Sequence, residues 1–148
     1  MSSDNKTVVR RLYDEVWNKR KVNVIPEIIS PSHALHDPNA SGSSIGPEAY
    51  KRQYFSFIAA FPDLRFGIED IIGEEDKIVV SWTISGTHKG EFMGIAATNK
   101  KVSVDGITIN HVAKGKIMDS YISWDALGLM QQLGAAPALK PRRTATAR

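Results

Sequence analysis

The groups able to move a proton or hold a metal are few in kind: four histidines, sixteen carboxylates and no cysteine. Without cysteine there is no disulfide, no thiolate metal site and no cysteine nucleophile. His33, His36, His88 and His111 show no i, i+4 pair, so they give no helical metal signature, and no metal is expected. No GxGxxG or HExxH pattern occurs, and Gly86-Thr87-His88-Lys89-Gly90 is too sparse in glycine to cradle a phosphate. No cofactor is expected either.

Two positions remain for acid–base chemistry. His36-Asp37 precedes Pro38-Asn39 in a loop-like stretch. The imidazole could be a base at the rim of a pocket, since a neighbouring carboxylate raises a histidine pKa into the useful range. The alternative is an Asx turn made by Asp37 beside an exposed His36. The turn is the preferred reading for Asp37. Asp125 directly precedes an apolar helical pattern. It could be an acid or base, but an N-cap accepting backbone N–H bonds explains it better. Large aromatic residues at inward-facing positions, Tyr13, Trp17, Tyr54, Trp82, Phe57 and Trp124, could stack on a flat ligand or simply fill the core.

The elements that would position these groups follow from periodicity. Val8, Leu12 and Val16, widened by Val9, Tyr13 and Trp17, make an amphipathic helix over 5–20, with Asp4 as a plausible N-cap. A short helix after Asn23 carries Val24, Ile28 and Ile29 and stops at Pro31. Residues 32–47 read as loop. Gly46-Pro47-Glu48 opens a third helix bearing Tyr50, Tyr54, Phe57, Ile58 and Phe61. Strands are expected over 64–72, 78–87, 102–112 and 117–124, the last two as a hairpin about Lys114-Gly115. A closing helix, 126–133, ends at Gly134 as its C′ residue. The fold class expected is α+β: a cone-shaped curved antiparallel sheet with helices on its concave face around an apolar pocket.

The chain of 148 residues suits one domain, expected over 1–137. Net charge is +3, and much of the excess sits in the basic segment 138–148, expected to be an unstructured tail. Without it the domain is nearly neutral, so no nucleic-acid partner is expected. There is no apolar run of about 18 residues and the opening residues are polar, so neither a membrane partner nor a secretory signal is expected. A cytoplasmic location fits the absence of cysteine.

Several stretches resemble the SnoaL-like polyketide cyclases, also called ester cyclases, within the nuclear-transport-factor-two-like fold. They are Val9-Arg10-Arg11-Leu12-Tyr13 with Trp17-Asn18, His36-Asp37, Phe61-Pro62-Asp63, Gly86-Thr87-His88-Lys89-Gly90-Glu91-Phe92-Met93-Gly94, and the run from Asp125 to Gly134. Ala97-Thr98-Asn99-Lys100 stands where the family usually shows Pro-Thr-Gly-Lys, and Asn99 can replace the turn glycine because Asn tolerates the left-handed region. The resemblance implies a cofactor-free intramolecular aldol step in an apolar pocket, with an aspartate that removes a C–H proton. It also implies a homodimer formed through the outer sheet face.

Aligned on the Gly115 turn, the resemblance places that aspartate at Ile122 and its companion histidine at Thr108. A hairpin centred on Gly115 pairs residues whose numbers sum to 230, so Thr108 faces Ile122. Gly106, Thr108, Asn110, Ser120, Ile122 and Trp124 then share the pocket face, and His111 turns outward. The expected lining is Tyr13, Trp17, Tyr54, Trp82, His88, Thr108, Asn110, Ser120, Ile122 and Trp124. His36 is the expected base, with Asp125 as a lesser candidate. Three functions stay open: a cyclase-like enzyme acting on a hydrophobic carbonyl compound, a hydroxylase-type member of the same family, and a non-catalytic small-molecule binding module. Epoxide-hydrolase-like or ketosteroid-isomerase-like chemistry would need pocket carboxylates that the sequence does not locate.

Overall fold

The computed structural model describes residues 2–40 and 44–137. The basic segment 138–148 lies outside the described residues. Helix α1 (Ser2–Arg11) continues without a break into a π-helical segment, Leu12–Asn18. The wider turn keeps Leu12, Tyr13, Val16 and Trp17 all buried. π-Helical turns are rare and tend to occur at functional sites. The guanidinium of Arg20 closes the segment by donating to the carbonyls of Trp17, Pro62 and Leu64. These are backbone acceptors that a helix end and a turn would otherwise leave open.

A 3₁₀ turn (Val22–Val24) and the short α2 (Ile25–Ile28) lead into β1 (Ile29–His36). After β2 (Ser44–Ile45) comes α3 (Gly46–Ala60), with Pro47 in its first turn. Four long strands follow: β3 (Arg65–Glu74), β4 (Lys77–Thr87), β5 (Lys101–Ala113) and β6 (Lys116–Trp124). The closing helix α4 is Ala126–Gln132. Gly134 beyond it has φ +81°, the left-handed C′ geometry expected of that glycine.

One six-stranded curved sheet runs in the order β2-β1-β6-β5-β4-β3. Every neighbouring pair is antiparallel except β1 with β6. The α+β class and the curved sheet are as expected. The stretch 32–47 is not all loop: it carries most of β1, and Pro31 lies inside that strand rather than ending a helix. The reason is local irregularity. Between Ile29 and Ala34 the pairing with β6 is broken, and proline is tolerated at such a bulge because no ladder N–H is needed there. The strand is held mainly by long-range contacts, which short polar stretches do not advertise.

The core lies between the concave sheet face and the helices. Val9, Val16, Ile25, Ile28 and Ile29 from the N-terminal third meet Ile78, Val80 and Ile117 from the sheet, all at 1% exposure or less. Burying each such side chain contributes about 1.5–3 kcal/mol. Gly106 has a specific purpose in this packing. A Cβ there would sit 2.3 Å from the Trp82 ring, so the missing side chain is what lets that indole lie flat against β5.

Candidate functional site

The space between the sheet and the helices is not completely filled. A cavity of about 90 Å³ opens between α3, the π-helical segment and the inner residues of β4, β5 and β6. The sheet supplies Trp82 and Ile84, then Val102, Val104, Thr108 and Asn110, then Ser120, Ile122 and Trp124. The helices supply Leu12, Tyr13, Trp17, Tyr50, Gln53 and Phe57. A vestibule of mixed polarity continues outward past Leu35, Asp37, Gln53, Phe57 and Trp124, adding Asn39, Arg52 and Met93.

Each of the three tryptophans points its indole N–H at a different polar group of the cavity. Trp17 donates to the Tyr50 hydroxyl at 2.9 Å, Trp82 to Thr108 Oγ1 at 2.9 Å, and Trp124 to Asp37 Oδ2 at 3.1 Å. An indole has one donor and no acceptor, so each fixes its partner as an acceptor. Tyr13 lines the same wall. Burial pushes its phenol up to about 12, with the Thr108 hydroxyl working against the rise. The Tyr50 phenol is raised as well, first by burial and then by nearby Tyr13. Both phenols are therefore protonated at neutral pH.

A second polar chain lies at the back of the cavity. Ser120 Oγ donates to Asn110 Oδ1 at 2.8 Å and lies 3.0 Å from His33 Nε2. His33 is 1% exposed and T-stacked on Tyr50. Burial lowers its pKa from 6.5 to about 4, offset in part by Asp119, so the imidazole is neutral at physiological pH. Gln53, also on the wall, has its Oε1 buried without a partner among the described residues.

Asp37 is the one carboxylate lining the cavity among the described residues. Its Oδ1 accepts the backbone N–H of Asn39 at 2.8 Å, the Asx turn expected there, while Trp124 Nε1–H is shared between Oδ2 at 3.1 Å and Oδ1 at 3.3 Å. The expected turn and a position on the cavity rim therefore coincide in this residue. His36 lies on the opposite side. Its ring stacks on Tyr121 at 4.3 Å between centroids, and Tyr121 is 54% exposed on the outer sheet face. Because β1 is a strand there, consecutive side chains take opposite faces, so His36 and the cavity residue Leu35 cannot both point inward.

Of the expected lining, Tyr13, Trp17, Trp82, Thr108, Asn110, Ser120, Ile122 and Trp124 are on the wall. Two are not. Tyr54 is buried behind Trp17, its ring 4.9 Å away, and fills core volume. His88 is fully buried off the cavity, where its Nδ1 takes the Thr98 N–H and its backbone pairs with Asn99 and Lys100, pinning the base of the loop before β5. Asn99 has φ +60°, the left-handed turn expected of it. Asp125 caps α4, accepting the Gly128 N–H at 2.9 Å, and does not line the cavity. His33, Gln53 and Tyr50 were not singled out as site residues. For His33 the available signal was its i, i+2 spacing to Leu35, which only a strand assignment would have exposed.

Among the described residues no three His, Asp or Glu side chains gather in a way that could hold a metal ion. No helix is long and apolar enough to cross a membrane.

A curved sheet wrapped by helices around an apolar cavity is the architecture in which a ligand site is sought. The chain belongs to the SnoaL-like polyketide cyclase family, whose model matches residues 7–133. It is 29% identical over 134 residues to the aklanonic acid methyl ester cyclase DnrD of Streptomyces peucetius, covering 86% of this chain and 88% of that one. Among solved structures, a polyketide cyclase from Acidithiobacillus ferrooxidans superposes with a TM-score of 0.80 at 28% identity, covering 92% of this chain and 99% of that one. A SnoaL-like cyclase from Jannaschia sp. CCS1 superposes with a TM-score of 0.84 at 25% identity, covering 92% and 95%.

Proposed function

We propose that this protein binds a flat, apolar carbonyl compound in its cavity and acts on it by proton transfer without a cofactor, with Asp37 as the base. The observation that carries the reading is the placement of Asp37. It is a carboxylate at the junction of an apolar cavity and a vestibule of mixed polarity, with its orientation fixed by Asn39 and Trp124. An activated C–H bond breaks, its proton goes to the Asp37 carboxylate, and its electron pair moves onto the adjacent carbonyl oxygen. The resulting enolate carbon attacks a second carbonyl, and Asp37 returns the proton to the new alkoxide. Similarity to the ester cyclases supports this class of reaction. Ile122 and Thr108 would occupy the places of the family's aspartate and histidine, and Asp37 would replace that acid from another wall.

The direct test is exchange. With an aromatic 1,3-dicarbonyl compound in D₂O, the parent and His36→Ala should label the activated methylene faster than buffer, and Asp37→Asn should not. A parent that gives no exchange above buffer rejects catalysis by this route. The Ile122–Thr108 pairing, which holds no group that titrates near neutral pH, favours a second reading, a binding module without turnover. Saturable ligand binding with no exchange would select it.

We further propose a homodimer through the outer sheet face. Ile72, Val79, Ile109 and Tyr121 fall in one row across β3–β6, and three of them are exposed: Ile72 at 58%, Ile109 at 43% and Tyr121 at 54%. An apolar row of this kind calls for cover.

A further inference from the structure

Hydrogen counting in the cavity leaves two donors without a destination. The first belongs to Tyr50. Its oxygen accepts the Trp17 N–H, and among the described residues no acceptor receives its own O–H. The second belongs to the Trp82–Thr108–Tyr13 chain. Trp82 gives its hydrogen to Thr108, and among the described residues no acceptor receives the Thr108 O–H. Tyr13 lines the same wall with a second hydroxyl. A bond between the two would still leave one O–H over, because a chain that begins at a donor-only indole ends on a donor. Tyr13, Tyr50 and Thr108 all line the same cavity, and the two phenol rings pack on the same aromatic pair, Tyr13 on Phe66 and Tyr50 on Trp17.

We infer that the cavity carries a two-donor site for one ligand oxygen, with the Tyr50 hydroxyl and the spare hydroxyl of the Thr108–Tyr13 pair both donating to a carbonyl or enolate oxygen. This rests on the reading that the cavity takes a carbonyl compound, and it specifies which atom of that compound is held and by what. Two hydroxyls anchored from behind by indole N–H groups need little reorganisation as charge builds on the oxygen. In a water-poor cavity such preorganised donors stabilise an oxyanion far better than water-exposed ones. The indoles also polarise the hydroxyls in the useful direction, since an oxygen that already accepts a bond is a stronger donor.

The test compares 1-tetralone with tetralin, its counterpart lacking the carbonyl, by quenching of tryptophan fluorescence and by the infrared carbonyl stretch of bound tetralone. The parent should bind tetralone about tenfold more tightly than tetralin, roughly the effect of one to two hydrogen bonds. The bound carbonyl stretch should fall below its value in hydrocarbon solvent. Tyr50→Phe and the double variant Tyr13→Phe/Thr108→Val should each bring the affinity ratio toward one and raise the stretch, with near-ultraviolet circular dichroism reporting whether they fold. Should a variant fail to fold, the stretch in the parent decides alone: no downward shift overturns the inference. Equal binding of both compounds by the parent overturns this site but leaves the apolar-ligand reading standing. Binding of neither overturns both. An unchanged ratio in folded variants removes these hydroxyls from the site.

Discussion

Ile122 stands directly across the β5–β6 ladder from Thr108, and both side chains line the cavity. That pairing puts an apolar group against a hydroxyl that is already held by Trp82. An aspartate at 122 would therefore enter a poorly solvated wall with only part of its hydrogen bonding supplied. Ile122→Asp should cost about 1–3 kcal/mol at neutral pH. Its folded pKa would be raised above the unfolded value near 4, so its contribution is least unfavourable at low pH and worsens as pH climbs through that interval. Urea unfolding at pH 5 and pH 8 should show a larger deficit against the parent at pH 8. A deficit that does not grow with pH would mean the carboxylate finds full solvation.

His33 works in the reverse direction. Its folded pKa is near 4, below the ordinary 6.5, chiefly because it is buried. Between those values the unfolded chain binds the proton and the folded chain does not. Stability present above pH 6.5 is therefore lost as pH falls toward 4, by up to about 3 kcal/mol from this group. His33→Gln can keep a hydrogen bond to Ser120 but cannot titrate. The stability difference between pH 7 and pH 4.5 should be smaller for this variant than for the parent by about that amount. Equal differences would show that His33 is solvated.

Asp125 is a structural cap, so its replacement should act on stability alone. Asp125→Ala removes the bond to the Gly128 N–H and should lower stability by about 1 kcal/mol. Ligand affinity and any proton exchange should stay within twofold of the parent. A large loss of exchange with unchanged stability would return Asp125 to the catalytic machinery.

The outer row makes a prediction about assembly. Ile109→Glu places a charge in its middle, between Val79 and Tyr121. The parent should sediment as a dimer at micromolar concentration and the variant as a monomer with an unchanged secondary-structure spectrum. A monomeric parent removes the interface.

The long strands, the helix stripes and the α4 boundaries were legible because each follows from short-range periodicity. Val9, Leu12, Val16 and Trp17 sit on one side of their helix and are all buried, and Asp125 and Gly134 cap and close α4 as their types require. The hairpin register was also legible, though the turn alone does not account for it. Lys114 and Gly115 both have positive φ, so the turn has two residues and pairs Ala113 with Lys116, a sum of 229. A bulge at Met118 then adds one residue and restores the sum of 230 from His111–Asp119 through Gly106–Trp124. Without that bulge Thr108 would face Tyr121, and every inward residue of β6 would turn out.

What the sequence by itself determined is the set of inward faces: the apolar stripes, the Thr108–Ile122 pairing and the caps. These depend on neighbours a few residues apart, or on one tight turn and the bulge at Met118 beside it. Only the tertiary structure decided which polar groups meet. Asp37 and Trp124 are 87 positions apart, as are His33 and Ser120, and each pair is joined because β1 packs parallel to β6 through an irregular ladder. That packing turns His36 outward and Asp37 to the rim. No local pattern encodes it, since Pro31 and the serines around it read as loop until the buried surface of β6 holds them extended.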